Sequence, residues 1–458
     1  MKYQRYGFKK INKGINKGKK QKLYEIALNV ILFLYIYIPS FSFFVPATTV
    51  ILPLGIIGFS FLFHKKDFVL GLKNKTLFLF SMAYGVIIAY SFIFDFFGNS
   101  IAYMGIGQLY SIISLRVYLE TFLGSVAIYL MFKSLSRNAP EDLIKSLFLI
   151  TFVQFIFCLL MLTSGEIRDY ISLSLLRPDE KIALDGELTS LAQRRGYGLA
   201  SGHLFSYPLF NGLVCCSALW FFLKKRNVYY LILSFMAVVP ILINARIGLI
   251  SMPVFLISLI LEKRLVVNFV KWLLKNCAFV FMVLLIGLSS IQLYNFIPEK
   301  TLLWVEEAIF GIIDAITYGN IEYSSTLNDL LTSHIHIPDN LISFLIGDGM
   351  YLFLNPTSPI SSDVGYVRLI FFGGLILSVF LYIIFIFLFG IAVNKAKTNI
   401  VRLTLVCGSL MIFIANFKGL VFHNHNSILR AMVLLCVFVI LDFTNKSVKP
   451  ILPKIGRE

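Results

Sequence analysis

Charge is what this sequence has least of. Only 14% of its 458 residues are charged, whereas 58% are hydrophobic, and the mean hydropathy is +0.82. Soluble domains carry about 25% charged residues, so this composition excludes one. Cysteine is also scarce. The six (Cys158, Cys215, Cys216, Cys277, Cys407, Cys436) all lie in apolar runs, which leaves no pattern for a disulfide framework. No Cys-x-x-Cys pair and no His-Glu-x-x-His motif is present, and His334-x-His336 alone is too little for zinc. Walker and dinucleotide glycine patterns are missing, which argues against a nucleotide-driven pump. Internal repeats are not visible, which counts against a transporter built from two similar halves. The net charge of +17 does not point to nucleic acid, because the basic residues form short clusters between apolar runs.

What the chain does have is apolar length. A helix needs about 20 apolar residues to cross about 30 Å of hydrocarbon. On that rule the sequence predicts about 12 spans: 24–44, 47–63, 76–96, 118–136, 142–163, 203–223, 227–244, 246–262, 266–292, 364–392, 400–416 and 427–443. Tyr103 to Tyr118 is weakly amphipathic and is expected at the interface. The fold class is therefore an all-α integral membrane protein. Residues 24–443 form one polytopic domain, between basic tails at 1–23 and 444–458.

Lysine and arginine set the orientation. Met1 to Lys22 holds nine of them and shows no signal-peptide cleavage pattern. His64-Lys65-Lys66, Lys133 to Lys145, Lys224-Lys225-Arg226, Lys263-Arg264, Lys395 to Lys397 and the tail from Lys446 would share its side. Both termini are then expected in the cytoplasm. The opposite face receives the loops 164–202, 293–363 and 416–427 and the turn Asn244-Ala245-Arg246.

Candidate chemistry gathers on that outer face. Gln193-Arg194-Arg195-Gly196-Tyr197-Gly198 reads either as a solvated loop or as a phosphate clamp, since guanidinium forks bind phosphate oxygens in pairs and glycines allow close approach. Arg246 lies in a turn almost too short to carry it into water. It is either a snorkelling anchor or a fixed positive charge in an outward cavity. Gly347-Asp348-Gly349 is a tight turn, and Ser361-Ser362-Asp363 is placed to cap the following helix. Lys418, His423, His425 and Arg430 lie on the last outer loop and at the start of the last span. Asp363, Asp348, His336 and His423 are candidates for accepting a hydroxyl proton.

These residues resemble the bacterial O-antigen polymerase family. The likeness is carried by the arginine-bearing outer loop, the arginine in a short outer turn, and a large late loop. That loop ends in Leu-Ile-Gly347-Asp348-Gly349 and then Ser362-Asp363-x-Gly365-Tyr366-x-x-x-Leu-x-x-x-Gly373. In place of an arginine often found upstream of the glycine turn, this chain has Ser333, His334 and His336. The resemblance implies a glycosyltransferase-C-type bundle in the bacterial inner membrane. It also implies an undecaprenyl-diphosphate-linked oligosaccharide as both donor and acceptor. Arg194, Arg195, Arg246 and Lys418 would bind the diphosphate, and Asp363, Asp348, His336 or His423 would act on the acceptor hydroxyl. No metal, nucleotide or nucleic acid is required. Membrane lipids and a chain-length regulator protein are the other expected partners. An O-antigen ligase and a lipid-linked oligosaccharide flippase are the alternatives, although a flippase should line both faces with charge.

Overall fold

A computed structural model gives the architecture. It describes residues 16–39, 47–97, 109–133, 135–136, 138–175, 196, 198–200, 206–260, 262, 267, 332–350, 362–422 and 426–447. Among these the regular structure is helical, with no strand. In order the helices are α1 (Asn16–Tyr37), α2 (Ala47–Leu72), α3 (Lys75–Phe97), α4 (Tyr110–Lys133), α5 (Ala139–Thr163), α6 (Gly165–Leu175), α7 (Ser206–Lys225) and α8 (Val228–Leu242). After them come α9 (Ser251–Ile260, entered through a 3-10 turn at Arg246–Ile250), α10 (Leu341–Ile346), α11 (Gly365–Lys395), α12 (Asn399–Ala415) and α13 (Ser427–Ser447).

Among the described residues, seven helical segments are long and apolar enough to cross a membrane. Shorter apolar helices lie at Val228–Leu242, Ile247–Ile260 and Asn399–Ala415. This is a helical multi-pass membrane protein. The expected span 266–292 lies outside the described residues, apart from Val267.

Burial separates helices that composition alone cannot. The apolar windows of α7 and α13 are 94% and 89% buried, against 28% for α2 and for α3. A helix that is apolar all round must be covered by protein or lipid. Here α7 and α13 form the centre, and α2 and α3 face outward. Small residues allow the close contacts. A Cβ on Gly212 would lie 2.8 Å from the Gly248 carbonyl, and one on Gly248 would lie 2.6 Å from that of Pro208.

Three boundaries differ from the sequence reading. His64-Lys65-Lys66 is not a loop: α2 runs through it to Leu72, with a kink at His64 (φ −128°). The turn comes at Lys73-Asn74, where the Asn74 carboxamide accepts the Thr76 N–H. The segment expected at the interface joins α4 from Tyr110 onward, because the buried Asp95 carboxylate accepts the N–H groups of Tyr110 (3.2 Å) and Ser111 (2.7 Å). An acid at a helix N-terminus satisfies its unpaired donors. The loop expected at 164–202 opens with a helix, α6.

Polar contacts gather at the two ends of the bundle. At one, Lys397 pairs with Asp442 (3.2 Å), Asn399 donates to Glu262 (2.9 Å), and Asn74 donates to Thr444 (2.8 Å). This is the lysine-rich end. The other end holds the candidate site.

Candidate functional site

The two glycine motifs of the late loop turn out to be one device. Asn340 caps α10 by accepting the Ile342 N–H, and α10 ends at Gly347 (φ 91°). The long helix α11 is broken at Gly374 (φ 71°, ψ −177°). A break inside a span frees carbonyls that need new donors. Asp348 N–H donates to the Phe371 carbonyl (3.0 Å) and Gly349 N–H to that of Phe372 (2.9 Å). The Tyr90 hydroxyl lies within 3.0 Å of the Ile346 carbonyl and 3.2 Å of the Gly373 carbonyl. A Cβ on Gly347 would strike backbone atoms of Phe372, Gly373 and Gly374. One on Gly374 would strike backbone of Leu345 and Ile346. The Asp348 side chain is exposed.

The start of α11 is held differently. Its N-cap residue is Val364, with no side-chain cap, so Ser362 and Asp363 do not cap the helix as expected. Instead the Ser362 hydroxyl donates to the His334 carbonyl (2.6 Å) and accepts the Val364 N–H (3.1 Å). Asp363 N–H donates to His334 Nδ1 (3.2 Å), which places the proton of a neutral ring on Nε2. His336 Nε2 lies 2.7 Å from the Ser333 carbonyl. Gly365 N–H donates to the carbonyl of buried Asn416 (2.9 Å), and the Asn416 side chain bonds Val421 N–H and the Tyr382 hydroxyl. Lys418 sits in the tight turn that follows, its N–H on the Ala415 carbonyl (2.9 Å). The segments carrying His334, Asp363 and Lys418 therefore meet at one corner. Asp348 does not join them: from Gly365 to Phe371 the helix rises about 9 Å.

A second corner carries the Arg246 turn and the glycines that follow Arg195. Arg194, Arg195, His423 and His425 lie outside the described residues. The flanking glycines are described, and they are pinned. The Asn244 carboxamide donates to the Gly196 carbonyl (2.9 Å) and to that of Pro240 (2.8 Å). Gly198 (φ 58°) presses on the Gln154 side chain, which accepts the Leu199 N–H (3.1 Å). The residue after Arg195 is thus bonded to a residue two before Arg246, which opens the 3-10 turn into α9. That turn packs on Gly212, where a Cβ would also meet Met411 of α12, five residues before Asn416. Both corners belong to the same end of the bundle.

The sequence reading missed an ion network just below this end. Glu120 is 1% exposed and Arg430 is fully buried. Arg430 Nη2 lies 2.7 Å from Glu120 Oε2, and Arg430 Nη1 donates to the Tyr35 carbonyl (2.8 Å). Arg116 Nε lies 2.7 Å from Glu120 Oε1. The Arg430 guanidinium also sits 4.9 Å from the centre of the Tyr35 ring. The π-helical stretch Val117–Leu123 widens α4 here, and the Tyr35 hydroxyl reaches the carbonyls of Glu120 (2.9 Å) and Thr121 (3.0 Å). The cluster ties α1, α4 and α13 together, with two cations on one carboxylate. The available signal was Arg116-x-x-x-Glu120 inside an apolar run, since ionisable residues within spans are costly and rarely idle.

Comparison of the chain with protein-family models, with curated proteins and with solved structures returns no match.

Proposed function

We propose that the protein is a metal-independent glycosyltransferase of the O-antigen polymerase type, a glycosyltransferase-C-type bundle of about 12 spans in a bacterial inner membrane with both termini in the cytoplasm. It would transfer a growing glycan from undecaprenyl diphosphate onto a new lipid-linked repeat unit. The observation that carries this reading is the hydrogen bond from Asn244 to the Gly196 carbonyl. It joins the two arginine-bearing segments that the family resemblance would assign to a diphosphate.

The chemistry needs few parts. The acceptor hydroxyl oxygen attacks the anomeric carbon, and the bond from that carbon to the diphosphate oxygen breaks. The hydroxyl proton passes to a base, and undecaprenyl diphosphate leaves with the electron pair. Negative charge grows on the leaving group, where fixed cations stabilise it most. Arg194, Arg195, Arg246 and Lys418 take that role. Asp363 is the best-placed base, because its backbone is fixed by His334 and its corner shares the bundle end with Arg246.

Deletion of the gene should leave lipopolysaccharide carrying a single repeat unit and no ladder. Core with no repeat unit at all would reject the polymerase reading in favour of a ligase or a flippase. In polymerisation by purified protein, Arg246→Ala and Arg246→Lys should each lose roughly tenfold to a hundredfold in rate, the equivalent of about 1.5–3 kcal/mol for a charge-assisted contact. Lysine fails because it keeps the charge but loses the planar fork. Wild-type activity in a well-folded Arg246→Ala protein removes the residue from the site. Orientation is checked separately. A cysteine at Asn340 should react with an impermeant thiol reagent in intact cells and one at Lys225 should not; the reverse pattern overturns the topology.

A further inference from the structure

The lysine-rich end, opposite the proposed site, holds a cavity of about 420 Å³. It opens among Trp220 and Lys224 at the end of α7, Glu262 after α9, and Lys397 to Leu403 at the start of α12. That volume lies in the range of small-ligand sites. We propose that this cavity holds the headgroup of an anionic phospholipid.

Its polar groups are arranged for an anion. Lys224 is exposed, and among the described residues its ammonium has no hydrogen-bond or ion-pair partner. Lys397 Nζ donates to Asp442 Oδ2 (3.2 Å) and to the Asp442 carbonyl (3.3 Å), which leaves its third N–H for a ligand. The Glu262 carboxylate accepts from the neutral Asn399 carboxamide (2.9 Å), keeps its charge and offsets one of the two lysines. The cavity is also capped by the N-terminus of α12. There the Thr398 hydroxyl takes the Val401 N–H (3.4 Å), while the remaining first-turn N–H groups have no helical acceptor.

Apolar surface selects a lipid over a free anion. Trp220, Ile400 and Leu403 line the cavity. The neighbouring α9 exposes Leu256 (61%), Ile257 (54%) and Ile260 (69%) along one face, spaced to lie beside acyl chains. Basic pockets between helices at the cytoplasmic side of a membrane are suited to such headgroups. The inference does not depend on the catalytic reading.

The test is native mass spectrometry of the full-length protein in detergent, titrated with phosphatidylglycerol or phosphatidylcholine. Phosphatidylglycerol should bind with clear preference. Lys224→Gln should weaken it about fivefold, from about one unit of lysine–lipid attraction, and adding Lys397→Gln should weaken it further. Lys73→Gln removes the same charge from an exposed position at the same end and should change nothing. Lys224→Gln breaks no internal contact, so its thermal midpoint should match the wild type. Equal binding of the two lipids overturns the proposal, as does an equal loss from Lys73→Gln. Displacement of the lipid by an equal concentration of inorganic phosphate would mark a simple anion site and also overturn it.

Discussion

Replacing Glu120 by alanine should cost about 3–5 kcal/mol, because it leaves the fully buried Arg430 without its carboxylate. The remaining partners do not compensate. The Tyr35 carbonyl and ring offer dipoles and a quadrupole, whereas the lost contact is a charge pair at 2.7 Å. Arg116 would then add repulsion, since it also leans on Glu120. Its own removal should matter far less: it is 27% exposed and water can solvate it. The double replacement Glu120→Leu with Arg430→Met removes both buried charges and should recover most of the loss. The measurement is the thermal midpoint of purified protein in one detergent for the wild type and the three variants Glu120→Ala, Arg116→Gln and Glu120→Leu/Arg430→Met. A Glu120→Ala protein as stable as Arg116→Gln would sink the account of this cluster as an interhelical tie.

That cluster also marks the limit of reading the chain by itself. Hydrophobic length is a local signal, so the membrane class and most of the long helices could be read from runs of about 20 residues, whereas the short α6 and α10 could not. Boundaries failed where a polar group finds a partner elsewhere. Tyr110 starts α4 because Asp95, on another helix, accepts its N–H. α2 continues past Lys66 because a helix end in polar surroundings tolerates lysines that look like a loop. The Glu120–Arg430 pair spans 310 positions, and no local pattern joins them.

The candidate site was legible in the same uneven way. Glycines around Asp348 and at Gly373-Gly374 were visible as breaks, but their mutual docking is a tertiary contact between two backbones. Asp363 was read as a helix cap on the strength of its position, yet Val364 occupies that place and the Asp363 N–H goes to His334. The arginine segments were recognised by residue type alone. It is Asn244, read only as part of the Arg246 turn, that bonds one segment to the other.

Gly374→Ala should destabilise the protein by about 3 kcal/mol or more. Its dihedral angles fall where almost only glycine is found, a strain of about 1–3 kcal/mol for any other residue. The added carbon also meets backbone of Leu345 and Ile346, which cannot rotate away as a side chain would. Relief requires the Gly347–Gly349 turn to lift, and that breaks the bonds from Asp348 and Gly349 to Phe371 and Phe372, each worth about 1 kcal/mol. Gly390→Ala, in the same helix, is the control. Its Cβ would meet nothing within 4 Å, so the change should be neutral or slightly stabilising. Gly347→Ala, with φ 91° and the same backbone opposite, should resemble Gly374→Ala. Both act on a single dock. Once one alanine has lifted the turn the second has little left to break, so the double variant should lose clearly less than the sum of the two. Strict additivity in thermal denaturation would mean that the two glycines act separately. A Gly374→Ala protein as stable as Gly390→Ala would mean that the turn does not hold the broken helix. In the docked arrangement the break fixes where the first turns of α11 run, and so where Asp363 stands relative to His334. If the protein is the polymerase proposed above, loss of polymerisation in Gly374→Ala should therefore exceed what its remaining folded fraction explains.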